Sequence, residues 1–193
     1  MLAALDRQLF LLLNASGDAP RWWIAAWSFL AVQAHWVALV LLVGYALRRG
    51  KPSLTPLMAA LLALALGWVA SELIGHLWYR PRPFVLGLGF QHLSHGPSPS
   101  FPSSHATAYG AIAFSYLFVA GHRAFGCILL VLAALVAAAR VVVGVHYPLD
   151  VFFGLVLGGL AAVAAHYVIA RAGRRHATRG MAVPPQASGK EEP

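Results

Sequence analysis

Two arginines set between prolines form the first of three polar stretches in a mostly apolar chain. Arg80 and Arg82 lie in the sequence Tyr-Arg-Pro-Arg-Pro-Phe, which covers residues 79–84. Proline lacks an amide hydrogen and restricts the residue before it, so a helix cannot continue through this stretch. Guanidinium groups held on such a loop suit bidentate contacts with a phosphate. The stretch therefore predicts either a phosphate-binding loop or a positively charged anchor at a membrane surface.

The second stretch, Phe-Pro-Ser-Ser-His-Ala-Thr at residues 101–107, has the features of a helix start. Ser103 is a candidate N-cap, since a serine hydroxyl often accepts an amide hydrogen of the first turn. Amides that stay free at a helix N-terminus bind anions, and His105 would face the same anion from the first turn. The alternative is ordinary capping beside an interfacial histidine.

The third stretch runs from Arg140 to Asp150 and contains His146 just before a helix start that is marked by Pro148. A carboxylate that accepts one ring N–H of a histidine fixes its tautomer and leaves the other nitrogen free to attack. We expect Asp150 to accept the N–H of His146 in this way. The alternative role of Asp150 is to stabilise the helix dipole from the first turn.

Together the three stretches contain the parts of a phosphoryl-transfer site. Such transfer depends mostly on positioning and charge stabilisation, which arginines, helix amides, one nucleophilic imidazole and a second imidazole at the leaving oxygen can supply. These stretches contain no carboxylate cluster of the kind that holds magnesium, so we expect neither a metal ion nor another cofactor. The histidines at positions 92, 95 and 105 are irregularly spaced and lack an acidic partner, which argues against zinc.

The composition indicates a membrane protein. Hydrophobic residues make up 60% of the 193 residues and charged residues only 10%, whereas a soluble domain has about half and about a quarter, respectively. The net charge of +8 comes from basic residues at segment ends and in the tail. That distribution fits membrane topology, and it argues against a nucleic-acid partner, which needs a basic face.

Apolar runs long enough to cross a bilayer, at about 20 residues each, predict an all-α bundle embedded in the membrane. We expect one membrane domain over residues 1–170 with about five spans. They lie at about 22–47, 54–78, 106–120, 125–143 and 149–170, and the third is short for a lone span. Residues 1–15 predict an interfacial helix that is apolar on one face. The basic tail, residues 171–193, is predicted to be disordered and cytoplasmic.

The basic residues predict the orientation of this bundle, because cytoplasmic connections are enriched in lysine and arginine. Of the 14 such residues, nine fall on one side of the five-span arrangement and five on the other. The side with nine, which includes the C-terminus, is expected in the cytoplasm. The three polar stretches then share the opposite, outer face.

These motifs resemble the type-2 phosphatidic acid phosphatase superfamily. Its pattern is Lys-x6-Arg-Pro, then Pro-Ser-Gly-His, then Ser-Arg-x5-His-x3-Asp, and agreement of all three parts across about 70 residues is far more specific than any one part. The matching residues are Arg82, Pro83, the run 102–105 with serine in the glycine place, Arg140, His146 and Asp150.

Two positions depart from the pattern of this superfamily. Gly75 stands where the superfamily has lysine, and Ala139 stands where it has serine. We therefore expect phosphate binding to depend more on Arg80, or on His76. Glu72 lies one helical turn before His76 and is expected to pair with it or with an arginine. Both residues would then orient the side chains that bind phosphate without contacting the phosphate themselves.

The bacitracin-resistance type of bacterial undecaprenyl-diphosphate phosphatase is the closer resemblance, carried by residues 73–84, 99–107 and 143–150. It implies a bacterial cytoplasmic-membrane enzyme that releases phosphate from undecaprenyl diphosphate, so that the lipid is recycled for peptidoglycan synthesis. The implied roles are attack by His146 to form a phosphohistidine, orientation by Asp150 and protonation of the leaving oxygen by His105. The residues expected to hold the phosphate are Arg82, Arg140 and Ser103, with Ser104 and Arg80 as further candidates.

The sequence leaves the roles of some histidines undecided and allows other functions. His92 and His95 could form a lid over a lipid headgroup or lie in a solvated loop, and His35 is expected to be a buried hydrogen-bond partner within the first span.

A phosphatase for phosphatidic acid or phosphatidylglycerol phosphate would use the same motifs. A vanadate-dependent haloperoxidase shares the phosphate-type site, but the apolar spans and the missing lysine argue against it. The intact Arg–His–Asp spacing argues against a non-catalytic transport or lipid-binding protein, and the oligomeric state is left open.

Overall fold

The protein is described by a computed structural model that covers residues 1–181, with side chains for residues 1–174. Six α-helices account for most of this part of the chain. These helices, α1–α6, are Leu2–Leu13, Arg21–Arg49, Leu54–Leu77, Ser104–Leu117, Arg123–Val142 and Pro148–Met181. Short 3₁₀ helices, Lys51–Ser53 and Pro83–Leu86, lie before and after α3. The predicted all-α architecture is confirmed.

Within residues 1–181, four helices have the length and composition of membrane spans, namely α2, α3, α5 and α6. Helix α4 has 14 residues, or about 21 Å at 1.5 Å per residue, which is shorter than the ~30 Å apolar core of a bilayer. It corresponds to the third predicted span and packs between α3, α5 and α6. Helix α4 is therefore a short internal helix, and its first turn lies within the bundle.

Glycines let α4 and α6 approach each other closely. A Cβ atom built on Gly158 would overlap the carbonyl oxygen of Thr107, and one built on Gly154 would lie 2.7 Å from the carbonyl oxygen of Ser103. Only glycine fits such a contact, as is common where membrane helices pack backbone to backbone. The close approach brings the first turns of both helices together, and the Ser103 amide donates to the carbonyl of Asp150 at 3.0 Å.

The connections between helices divide between the two ends of the bundle in the predicted way. At one end, the α2–α3 connection lies beside the α4–α5 connection, where Arg49 donates to the carbonyl of Gly121 at 3.4 Å. The opposite end contains the N-terminal segment, the 78–103 connection and the α5–α6 turn. These are tied by bonds such as the one from the Ala15 amide to the carbonyl of Val142, at 3.0 Å. Which end faces the cytoplasm stays a prediction.

Helix α1 covers the residues predicted to form an interfacial helix, and it packs across the end of the bundle that carries the polar stretches. Its leucines are largely exposed, whereas Asp6 and Phe10 are buried. Phe10 packs edge-on against Tyr147, with ring centroids 5.5 Å apart. The buried face of α1 therefore contains a carboxylate that points into the protein.

Helix α6 continues to Met181, so the prediction of a disordered tail from residue 171 is wrong for residues 171–181. The helix extends past the apolar pattern because arginine and alanine, which are frequent here, are good helix formers and no proline intervenes. The rest of the predicted tail, residues 182–193, lies outside the described residues.

We expect Gly158→Ala to lower the unfolding temperature in detergent, because the added methyl group would overlap the backbone of α4. Overpacking of this kind costs about 1–3 kcal/mol, and thermal unfolding followed by circular dichroism would measure the loss. Gly44→Ala in α2 is the matched control, since nothing lies within 4 Å of a Cβ built there. Equal unfolding temperatures for the two variants would contradict the close α4–α6 contact.

Candidate active site

The three polar stretches converge where the first turns of α4 and α6 meet. Arg82 immediately precedes the second 3₁₀ helix, His105 lies in the first turn of α4, and His146 lies in the turn between α5 and α6. Arg82 Nη1 is 3.1 Å from His146 Nε2, which joins the first stretch to the third. The buried polar residues gathered here are Arg82, Ser100, Ser103, Arg140, His146 and Asp150.

The hydrogen bonds of His146 identify its tautomer. Nδ1 lies 2.8 Å from the backbone carbonyl oxygen of Ser100, and a carbonyl oxygen only accepts, so Nδ1 carries the hydrogen and donates it. Nε2 then has the lone pair, and it accepts a hydrogen bond from Arg82 Nη1. A neutral imidazole in this tautomer presents Nε2 as a nucleophile.

The hydrogen bonds of Asp150 differ from those expected, and the prediction that it accepts the N–H of His146 is wrong. Its Oδ2 lies 3.8 Å from His146 Nδ1, which is too far for a hydrogen bond. Oδ2 instead accepts from the Ser100 hydroxyl at 2.6 Å and from the Tyr147 amide at 2.9 Å. The carboxylate turns back to cap its own helix, and it reaches His146 only through Ser100.

All five N–H groups of Arg82 are taken up by protein acceptors. Nε and Nη2 donate to the carbonyls of Ser98 and Pro99 and to the Ser98 hydroxyl, at 2.9 to 3.1 Å. Nη1 donates to the carbonyl of Val145 at 2.9 Å and to His146 Nε2. A phosphate can gain a donor from Arg82 only by displacing one of these bonds. Loss of the bond to His146 would also free the lone pair of Nε2.

Arg140 has donors to spare. Its side chain is buried, with the residue only 2% exposed, and Nη1 donates to the carbonyl of Ala31 at 3.3 Å. Nε and Nη2 are buried and have no hydrogen-bond partner among the described residues. A buried cation with unsatisfied donors is costly, and an anion would relieve that cost. Arg140 is therefore the strongest candidate for a phosphate ligand.

The first turn of α4 offers further donors. The Ser103 hydroxyl accepts from the Ala106 amide at 3.4 Å, which confirms the predicted N-cap. This acceptor role leaves the hydroxyl hydrogen available to an anion. The amides of Ser104 and His105 have no acceptor within an α-helix, and the helix dipole favours negative charge at this position.

The first turn of α6 is closed by carboxylates of the protein itself. The Tyr147 amide donates to Asp150 and the Leu149 amide donates to Asp6, each at 2.9 Å. These carboxylates occupy the positions that a bound anion would take. Of the two neighbouring helix N-termini, only that of α4 is left for a phosphate.

Electrostatics keep His146 neutral and Arg82 charged. Burial lowers the pKa of His146 well below its usual range, and the nearby Arg82, Arg140 and His105 act in the same direction. The two imidazoles therefore belong to one electrostatic cluster. Burial lowers the pKa of Arg82 to about 10, against the opposing effect of Asp150, so the guanidinium stays charged at neutral pH.

An apolar cavity of about 430 Å³ opens beside His105. Its walls come from α2 and α4, and they include Leu39, Ala108 and Ile112. His35 also lines it, with Nδ1 2.9 Å from the carbonyl of Val32 in its own helix. His35 makes a hydrogen bond, as predicted, but its side chain is exposed at the protein surface, so the predicted burial is wrong. His105 thus stands between the arginine cluster and an apolar space.

A comparison of the sequence with known families agrees with this geometry. The sequence profile described as the PAP2 superfamily matches residues 56–174, which contain Arg82, His105, Arg140, His146 and Asp150. The chain belongs to the PAP2 superfamily. The resemblance inferred from the three motifs is confirmed, and the PAP2 match covers every member of the cluster except residues contributed by α1.

The chain is similar to several bacterial proteins. The chain is 35% identical over 169 residues, covering 87% of this chain and 84% of the relative, to the putative undecaprenyl-diphosphatase YbjG of Escherichia coli K12. It is 37% identical over 91 residues, 47% of this chain and 46% of the relative, to the undecaprenyl-diphosphatase BcrC of Bacillus subtilis. The crystal structure of Aquifex aeolicus LpxE superposes with a TM-score of 0.67 at 25% identity, covering 82% of this chain and 92% of that one.

Arg80 forms ion pairs with two carboxylates of the protein, contrary to the hypothesis that it binds phosphate in place of the PAP2 lysine. Nη1 lies 2.5 Å from Asp150 and Nη2 lies 2.6 Å from Asp6. The guanidinium carbon also lies 4.0 Å from the ring centre of Tyr147. Burial disfavours the charge, but the two carboxylates outweigh it and raise the pKa of Arg80.

Gly75, at the position of the PAP2 lysine, faces the loop that holds the arginine cluster. A Cβ built there would lie 3.4 Å from Pro99 and 3.6 Å from the carbonyl oxygen of Phe101. Gly75 also lines a polar cavity of about 130 Å³ beside the first turn of α4. A longer side chain would enter this region, so the glycine leaves space next to the site.

The same polar cavity is lined by Glu72 and His76, together with Arg82, His95 and Ser104. Both predicted supporting residues therefore border the site. His76 Nδ1 lies 2.8 Å from the backbone carbonyl of Glu72, and among the described residues no hydrogen bond or ion pair joins the two side chains. Within the described residues, no group of three His, Cys, Asp or Glu side chains is placed to hold a metal ion.

The two histidines of the outer loop have different environments. His95 lines the polar cavity, where burial lowers its pKa and the charges of Arg82 and Arg140 add to the effect. His92 instead lies with Nε2 2.9 Å from the carbonyl of Ala15. Of the two predicted lid residues, only His95 borders the site, and His92 ties the loop to the N-terminal segment.

Three residues of the cluster were not identified as site residues from the sequence. Ser98 and Ser100 hold Arg82 and His146, and Asp6 holds Arg80. The repeated prolines around the two serines were a usable signal, because they keep the backbone extended and its carbonyls free to accept. For Asp6 the only signal was a lone acid in an apolar helix, which is a functional candidate in a membrane protein.

We expect His146 to be neutral, with its hydrogen on Nδ1, at pH 6. A lowered pKa means that the neutral form persists as the pH falls, whereas an exposed histidine is largely protonated below about 6.5. Nitrogen-15 NMR of histidine-labelled protein in detergent micelles would measure the tautomer, and His146→Gln would assign the signal by removing it. A His146 signal that titrates near pH 6.5, or that shows the Nε2–H tautomer, would contradict the geometry.

Proposed function

We propose that this chain is a membrane phosphatase that converts undecaprenyl diphosphate and water to undecaprenyl phosphate and phosphate. The observation that carries the proposal is the buried Arg140, which has two donor nitrogens without a partner among the described residues and lies near enough to His146 to lower its pKa together with Arg82. Preorganised cations of this kind stabilise the charge of a phosphoryl group during transfer. Similarity to proteins named undecaprenyl-diphosphatase in E. coli and B. subtilis supports the choice of lipid.

In the first step, His146 Nε2 attacks the terminal phosphorus as the bond to the bridging oxygen breaks, which gives a phosphohistidine. In the resting site, Arg82 Nη1 donates a hydrogen bond to His146 Nε2. The entering phosphate replaces His146 as the acceptor of this bond. Binding of the phosphate and release of the nucleophilic lone pair therefore occur together. The Ser100 carbonyl keeps hold of Nδ1–H and stabilises the positive charge that develops on the imidazole.

His105 carries the proton transfers in this mechanism. Burial and the nearby Arg140 lower the pKa of His105 to about 4, and the negative charge of a diphosphate beside the ring would oppose this effect. As an imidazolium, His105 donates a proton to the leaving oxygen of the lipid phosphate, and as an imidazole it then accepts one from the water that attacks the phosphohistidine. The second step releases inorganic phosphate and restores both histidines. Positive charge comes from Arg82, Arg140 and the amides at the start of α4, so the reaction as proposed needs no metal ion.

The apolar cavity suits the lipid chain of the substrate. It starts at His105 and runs between α2 and α4, with walls that are almost entirely apolar. A lipid diphosphate with its chain in this cavity would have its inner phosphate beside His105 and its terminal phosphate among the arginines. The leaving oxygen would then lie next to the group that protonates it.

The proposed location is the bacterial cytoplasmic membrane, with the site on the outer face and the C-terminus in the cytoplasm. The helices that can span a membrane support a multi-pass protein. The connections at the end opposite the site carry Arg48, Arg49, Lys51 and Arg123. Positive charge of this kind is typical of cytoplasmic connections.

Phosphate release from undecaprenyl diphosphate by purified protein, in detergent with EDTA, tests the proposal. We expect release by the wild type and none above background for His146→Ala, which lacks the nucleophile. Arg140→Ala should lower kcat by about 10²- to 10³-fold, as removal of one preorganised donor does. Arg123→Ala, at an exposed position at the other end of the bundle, is the matched control and should retain activity.

Phosphatidic acid and phosphatidylglycerol phosphate, assayed in parallel, decide between the lipids. Faster turnover of either would overturn the assignment of undecaprenyl diphosphate. Phosphate release that survives His146→Ala would reject the mechanism, and no release from any of the three lipids would reject the function.

We expect Ala108→Trp to raise the KM for undecaprenyl diphosphate, because the indole would fill the apolar cavity. An increase of about tenfold corresponds to ~1.4 kcal/mol of lost binding. Turnover of a short-chain, water-soluble diphosphate should be unchanged, since it does not need the cavity. Ala164→Trp, at an exposed position of α6, is the control, and equal KM values for both variants would place the lipid chain elsewhere.

A further inference from the structure

We propose that Asp6, contributed by the N-terminal helix α1, is a positioning residue that fixes the active-site carboxylate Asp150 through Arg80. This inference rests on the proposed function, and it assigns to α1 a part in the reaction. Asp6 lies outside residues 56–174, to which the PAP2 profile matches. It lies 143 positions before Leu149, the residue in α6 with which it shares a hydrogen bond.

Asp6 closes a ring of charged contacts around the start of α6. Its Oδ2 lies 2.6 Å from Arg80 Nη2, and its Oδ1 accepts from the Leu149 amide at 2.9 Å. Arg80 Nη1 lies 2.5 Å from Asp150 Oδ1. The guanidinium is therefore held at both terminal nitrogens, and the same carboxylate that holds it also anchors the turn from which Asp150 projects.

The ring reaches the nucleophile through Ser100. Once Asp150 Oδ1 is fixed by Arg80, its Oδ2 remains to accept from the Ser100 hydroxyl at 2.6 Å. The Ser100 carbonyl in turn accepts from His146 Nδ1 at 2.8 Å. Asp6, Arg80, Asp150, Ser100 and His146 thus form one continuous chain of hydrogen bonds.

The burial of Asp6 distinguishes this role from simple packing. Its side chain is 0% exposed, while that of Arg80 is 23% exposed. An ionised carboxylate that is removed from water costs several kcal/mol unless it is paired, so an apolar residue would serve α1 better if only packing were needed. Without Asp6, Arg80 would keep Asp150 as its one carboxylate partner and could turn towards the exposed side.

The test compares Asp6→Asn with the wild type in the undecaprenyl diphosphate assay. Asparagine can still accept from the Leu149 amide, but its NH₂ group would face the Arg80 donor, so the substitution removes that contact alone. We expect kcat to fall by about 10- to 100-fold, as when an outer partner that orients a reactive ligand is lost, with KM within twofold of the wild type. Gln8→Ala, on an exposed face of the same helix, is the control and should leave both constants unchanged.

Arg80→Lys is the second variant, because it keeps the charge while losing the fork that joins two carboxylates. It should show the same loss of kcat, and Asp6→Asn combined with Arg80→Lys should lose no more than the worse single variant. Folded Asp6→Asn with wild-type kcat, or wild-type kcat for Arg80→Lys, would overturn the inference. A rise of KM without a fall of kcat would overturn it as well.

Nitrogen-15 NMR of His146 separates this inference from the proposed function. In Asp6→Asn we expect the single Nδ1–H tautomer of the wild type to give way to a mixture or to a changed pKa, a readout that does not require any substrate. If the wild type releases no phosphate from the lipids, the proposed function fails, and the NMR comparison still decides whether Asp6 positions His146. An unchanged His146 spectrum in folded Asp6→Asn would overturn the positioning role.

Discussion

The hydrogen bond from His146 Nδ1 to the Ser100 carbonyl is the constraint on which the site depends. A backbone carbonyl can only accept, so it fixes the hydrogen on Nδ1 and the lone pair on Nε2. A carboxylate in direct contact would fix the tautomer too, but it would also favour protonation of the ring. With Asp150 held back by Ser100, burial and two arginines keep the imidazole neutral. The Nε2 lone pair of His146 is thereby kept available, and the carboxylate can still respond to charge that develops on the ring.

This arrangement demands helices that meet closely at one end. Gly154 and Gly158 let α6 lie against α4, so that two helix N-termini come side by side in an apolar bundle. Carboxylates close the N-terminus of α6, and the amides of α4 stay open beside Arg140. The same first turn of α4 separates a polar cavity from an apolar one. A charged headgroup and an apolar chain can therefore meet at His105 without either leaving its preferred environment.

Patterns local in sequence predicted much of this. Apolar length predicted the spans, and only α4 and the end of α6 differ materially, because one helix is sheltered by its neighbours and the other continues through good helix formers. The Ser103 cap and the His146 region were predicted because caps, turns and motif spacing are short-range features. Hydrogen-bond partners were predicted poorly. Asp150 and Arg80 were assigned to His146 and phosphate, whereas they bind each other.

The sequence by itself determined that this is a helical membrane protein. It also determined which arginines and histidines could take part in phosphoryl transfer, because residue type and spacing limit the possible chemistry. Only the tertiary structure decided which donors are satisfied. The sequence predicts the same role, phosphate binding, for Arg82 and Arg140, yet every N–H of Arg82 is occupied, whereas Arg140 has two buried nitrogens without a partner among the described residues. Asp6 entered the site for the same reason. Its partners are 74 and 143 residues away in the chain, and contacts at such separations follow from how helices pack.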